Sequence, residues 1–72
     1  MKGFLLRRRK ELKFTAEEMA RKLNSSVSRI HHYEKERRYP SAVDIWSIKE
    51  IYQMTTDELL DWLEYINKNN ER

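Results

Sequence analysis

The sequence predicts an all-α domain of five short helices, and three observations predict it. One glycine and one proline in 72 residues leave too little turn chemistry for an all-β chain. Hydrophobic residues make up 39% of the chain, enough for a globular core. Four helix starts are written in local capping chemistry. The length allows one domain, predicted over residues 1–67 with 68–72 as a frayed tail. A domain this small buries only about 60% of its unfolded surface, so its stability is marginal.

The first helix, from about Gly3 to Leu12, carries Leu5 and Leu12 on one stripe with Arg8 and Arg9 between them. An arginine on a buried stripe requires a carboxylate partner. The second start is the clearest. In Thr15-Ala16-Glu17-Glu18 the Thr15 hydroxyl accepts from the Glu18 N–H and the Glu18 carboxylate accepts from the Thr15 N–H, while Phe14 and Met19 form the matching staple. That helix runs from Ala16 to about Leu23. Asn24-Ser25-Ser26 ends it and caps the next, because Asn tolerates the left-handed conformation and Ser is a good N-cap. The third helix spans about Val27 to Lys35, fading by Glu36 or Arg37.

Pro40 biases Tyr39 away from helical geometry, and Ser41 with Asp44 reads as the next cap. The fourth helix runs from Ala42 to about Tyr52, with Val43, Ile45, Trp46, Ile48, Ile51 and Tyr52 as its apolar residues and Trp46 assigned to the core. Thr55-Thr56-Asp57-Glu58 repeats the capping box, and Met54 with Leu59 the staple. A fifth helix follows from about Thr56 to Asn67, with Leu59, Trp62, Leu63 and Ile66 on one stripe. Those are more apolar positions than a terminal helix of so small a domain buries, which makes Trp62, Tyr65 and Ile66 candidates for a two-fold interface in a homodimer.

No cysteine is present, so disulfide, thiol and Cys-zinc chemistry are excluded. No apolar run approaches the ~20 residues of a membrane span, and a soluble cytoplasmic protein is expected. The net charge of +3 divides unevenly: residues 1–40 carry +7 and residues 41–72 carry −4. The basic half suits nucleic acid, since clustered cations displace the counterions condensed on phosphate. Two short helices joined by a three-residue turn, the second flanked by cations, is the arrangement that places a helix in the major groove. At 100° per residue, Ile30, Tyr33 and Glu34 share one sector of that helix, while Ser28, His32 and Lys35 lie opposite and Arg29 and His31 flank them.

The run from Phe14 to Leu23, then Ser26 to Ile30, Tyr33-Glu34 and Arg37-Arg38-Tyr39-Pro40, resembles the Cro/C1-type helix-turn-helix family of phage repressors and bacterial regulators. The resemblance implies a five-helix, λ-repressor-like domain that binds double-stranded DNA as a transcriptional regulator in a prokaryotic or phage setting, most often a repressor acting by operator occupancy. It implies that Ala20, Leu23, Ile30 and Tyr33 are core, and that Arg9 pairs with Glu34. Base contacts are implied for Val27, Ser28 and His32, with Arg29 on a guanine or a phosphate. Phosphate contacts are implied for Lys13, Thr15, Ala16, Ser26, Lys35, Arg37, Arg38 and Tyr39. Ala16 replaces a glutamine that touches the DNA backbone in the family, Asn24 and Glu36 replace glycines, and Arg8 and Ser25 replace aliphatic residues. These departures weaken the expected grip on DNA more than the fold.

An enzyme is not expected. His31 and His32 project about 100° apart and cannot both ligate one metal from a regular helix, and no phosphate loop or nucleophile motif is present. No cofactor, metal or small-molecule ligand is implied. The rival reading is a protein-interaction module on the same scaffold, antitoxin-like or an inhibitor of a protein partner, and regulation of the DNA-binding protein itself would come through a regulatory protein partner, proteolysis or protein concentration.

Overall fold

The computed structural model describes residues 1–70. Its described residues form five helices: α1 (Phe4–Glu11), α2 (Ala16–Leu23), α3 (Val27–Glu34), α4 (Ala42–Ile51) and α5 (Thr56–Asn69). The chain is all-α with a λ-repressor-like arrangement. None of the described helices is long and apolar enough to cross a membrane.

Four starts are set by side chains that satisfy orphan N–H groups. Thr15, Ser26, Ser41 and Thr55 accept from the N–H of Glu18, Arg29, Asp44 and Glu58. At Thr15 and Thr55 the glutamate returns the bond, from the Thr15 N–H at 2.8 Å and the Thr55 N–H at 2.9 Å. Those backbone donors hold the Glu18 and Glu58 carboxyls below the usual carboxylate range, with Arg8 assisting at Glu58. A carboxylate depressed in the fold contributes stability in full above its ordinary pKa, and that contribution is lost as pH falls through the depressed value. Melting temperature followed by circular dichroism is therefore expected to drop below about pH 4, with a shallower drop in Glu18→Gln and Glu58→Gln.

The four links between helices share one device. Lys13, Asn24, Glu36 and Gln53 adopt left-handed φ of 64°, 57°, 58° and 50°. In each link the next N–H reaches back five residues: Phe14 to the Arg9 carbonyl, Ser25 to Ala20, Arg37 to His32 and Met54 to Lys49. This closes the freed carbonyls of each helix end without a glycine.

The core is drawn from every helix, with Leu5, Met19, Ile30, Ile48, Tyr52, Trp62 and Ile66 fully buried. Helices α2 and α3 pack on one another, α4 lies against α2, and α1 lies against α3. Trp62 is held by packing alone, its Nε1 finding no acceptor among the described residues.

Three placements differ from the sequence reading. Trp46 is not core: it is 70% exposed, as is much of Val43, because α4 turns Ile48 and Tyr52 inward and its apolar residues spread round more than one face. Trp62 and Ile66 are not available as an interface, since both are fully buried in the chain's own core, and Tyr65 is half-buried against the same cluster. Lys68 and Asn69 are not frayed: α5 continues through Asn69, supported by the Lys68–Glu64 pair at 3.4 Å and by Asn70, whose side chain donates to the Ile66 carbonyl at 2.9 Å. Residues 71–72, the end of the expected tail, lie outside the described residues.

Candidate nucleic-acid interface

Helix α3 owes its orientation to what lies beneath it. Ile30, Tyr33 and Glu34 are buried. Glu34 is gripped by Arg9 of α1 in a two-point pair, Nε to Oε2 at 2.7 Å and Nη2 to Oε1 at 3.1 Å. Tyr52 Oη donates to Glu34 Oε2 at 2.8 Å, and Arg9 Nη1 donates to the Phe14 carbonyl at 3.1 Å. The bond to Glu34 raises the Arg9 pKa above its ordinary value, and burial together with Glu34 drives the Tyr52 phenol far upward. One carboxylate thereby ties α1, α3 and the end of α4 into a single body. Forked guanidinium–carboxylate geometry fixes direction as well as distance, so α3 is held in azimuth.

A second buried carboxylate was not legible in the sequence. Asp44, in the first turn of α4, accepts a short hydrogen bond from Tyr33 Oη and pairs with Arg29 Nη1 at 3.4 Å. Burial first, then this bond, pushes the Tyr33 phenol up to about 12. The Ser41 cap explains why residue 44 is acidic, but nothing local shows that it is buried against Tyr33.

On the outer side, Ser28, Arg29, His31 and Lys35 are exposed and His32 is half-buried. Ser28, His32 and Lys35 share one face. Arg29 stands apart from them, drawn along the Tyr33 flank to Asp44. Val27 is half-buried and packs on the core rather than standing on that face. Exposed Ser26 caps the start of α3, and exposed Thr15 caps α2, followed by half-buried Ala16. Beyond its far end Arg37, Arg38 and Tyr39 are exposed, and Lys13 is exposed at the α1–α2 turn. Glu36 does not project with them: its Oε2 accepts from the Gly3 N–H at 2.7 Å, so the negative charge is spent at the start of α1.

Arg8 likewise has a structural task. Its Nη1 donates to the Tyr52 and Gln53 carbonyls at 3.0 and 2.6 Å and its Nη2 to Glu58 at 2.6 Å, closing the α4–α5 corner. The corner takes polar partners where an aliphatic residue would pack.

The family model for the helix-turn-helix matches residues 5–59, more than half of the chain and the whole of α2 and α3. The chain belongs to the Cro/C1-type helix-turn-helix family. Comparison with curated proteins and with solved structures finds no match. As a member of this family it is a DNA-binding helix-turn-helix regulator, its helix-turn-helix formed by α2 and α3. In this helix-turn-helix protein Asn24, where the resemblance implies a glycine, adopts the left-handed φ of 57°.

Proposed function

We propose that this helix-turn-helix protein reads a specific double-stranded DNA sequence through Ser28 and His32 and represses transcription by occupying its operator. The observation that carries the reading is the polar outer face of α3, set on a buried Arg9–Glu34 pair and flanked by exposed cations. A short donor-acceptor hydroxyl at Ser28 and an imidazole one turn later suit base edges. Lys13, Lys35, Arg37, Arg38 and Tyr39, with the helix starts at Thr15, Ala16 and Ser26, supply backbone contacts. Arg29 is read as a residue shared between Asp44 and the DNA backbone, and Val27 as packing.

Selection of bound sites from a random duplex pool tests this directly, followed by titration at about 150 mM salt. The Ser28→Ala/His32→Ala double variant is expected to lose about 10–100-fold on the selected site with its salt dependence unchanged. Arg37→Ala/Arg38→Ala is expected to weaken all sequences alike and flatten the log–log salt slope by about 2. A pool that yields no motif, or a double variant that binds undiminished, favours the protein-interaction reading instead.

A further inference from the structure

Between α4 and α5 runs an open groove of 380 Å³ lined by Ile45, Trp46, Lys49, Leu59, Leu60 and Leu63. Trp46 is 70% exposed and Leu60 57% exposed, the indole and the leucine standing on opposite banks. A tryptophan left in water beside aliphatic side chains is what a binding surface presents, since Trp leads the residues that dominate interface energetics. The groove lies on helices that carry none of the residues assigned to DNA.

The charges around it select the occupant. Glu50 follows Trp46 by one turn on the α4 bank; on the α5 bank Asp57 precedes Leu60 by one turn, and Asp61 follows Leu60 directly, about 100° further round the helix. All three are exposed, and none has a salt-bridge partner among the described residues. Lys49 is the cation within the groove, and its methylene stem forms part of the wall. An apolar floor between acidic rims fits an amphipathic helix with basic flanks, the helix-in-groove mode. A second copy fits poorly, because a two-fold contact sets each residue patch against itself and would bring these carboxylates together. A small molecule also fits poorly, because ligand clefts enclose most of their guest, whereas these walls stand open.

We propose that the α4–α5 groove docks a helix of a partner protein, apolar along one stripe and carrying Lys or Arg on both sides of it. Docking there leaves α3 free, so the regulator would hold DNA and partner at once. This inference does not rest on the DNA reading.

The test uses the full chain and three synthetic helical peptides: leucines at i, i+3, i+4 and i+7 flanked by lysines, the same leucines flanked by glutamates, and the lysine version with serines for leucines. Tryptophan emission and calorimetry report binding. The lysine–leucine peptide is expected to bind at least tenfold tighter than either control at low salt, with the margin over the glutamate peptide shrinking as salt rises. Its binding is expected to shift emission to the blue in the parent chain but not in Trp46→Phe, since Trp62 is buried already. Leu60→Ser is expected to weaken binding at least tenfold with the melting temperature unchanged, and operator binding by that variant stays as in the parent. The proposal is overturned by no binding of the lysine–leucine peptide, by equal binding of the glutamate peptide, or by sedimentation showing a dimer that Leu60→Ser dissolves. The last result assigns the groove to a second copy.

Discussion

Arg9→Ala is expected to cost about 3–5 kcal/mol, the usual penalty for breaking a buried ion pair from one side. A domain of this length has on the order of 4–11 kcal/mol to lose, so the variant should lie near its unfolding transition at room temperature. The reason is asymmetric. Removing the guanidinium leaves Glu34, 5% exposed, with Tyr52 as its remaining donor, and strips the Phe14 carbonyl of its partner. Arg9→Lys should recover little, because an ammonium cannot make the two-point contact. Replacing both partners by apolar residues should be milder than either single change. Urea denaturation followed by circular dichroism measures all three. A midpoint for Arg9→Ala equal to the parent's would show that the pair contributes nothing.

The second large effect is expected at Asp44. Asp44→Ala removes the acceptor of the buried Tyr33 hydroxyl and the partner of Arg29, and about 2–3 kcal/mol of stability should go with them. Two further readouts separate this loss from ordinary core damage. The first is titration of Tyr33, whose pKa stands at about 12. A phenol raised in the fold contributes stability in full below its ordinary pKa of about 10, and the contribution fades as pH climbs from there through the folded value. Without Asp44 the Tyr33 pKa should fall part of the way back, burial remaining, and the alkaline decline should span a narrower window. The second readout is salt dependence on DNA. With Arg29 released, the log–log slope should steepen by about 1, the signature of one more neutralised phosphate. Unaltered slope in a folded Asp44→Ala variant would mean that releasing Arg29 adds no phosphate contact.

These two carboxylates also show what the sequence can and cannot disclose. Helices α2 and α5 were legible to within a residue or two because their capping boxes are local: the bond partners are three positions apart, and the chemistry names them. The Arg9–Glu34 pair spans 25 positions, and only the resemblance to the family pointed to it. Asp44 had a sufficient local explanation as a first-turn acid, which concealed its burial. The two tryptophans exchanged roles for a related reason. Helices α4 and α5 each carry apolar residues on more than one side, and a helical wheel displays the sides without saying which one a neighbour covers. Packing turned Trp62 inward and Trp46 outward. For α3 the polar face was legible because one side alone is apolar, whereas the capture of Arg29 by Asp44 depends on where α4 sits.

The four glycine-free links bear on lifetime. An L-residue other than glycine in the left-handed region costs about 1–2 kcal/mol, less for Asn24, and the chain bears that cost at Lys13, Glu36 and Gln53 as well. The native state is thus placed closer to its unfolded ensemble than the same helices joined by glycines would be, and each 1.4 kcal/mol multiplies the open population tenfold. Where reclosing outpaces cleavage, proteases remove a protein in proportion to that population. A regulator that works by occupancy, as proposed, acts only while it is abundant. On that proposal, its turns help to set how soon repression relaxes once synthesis stops.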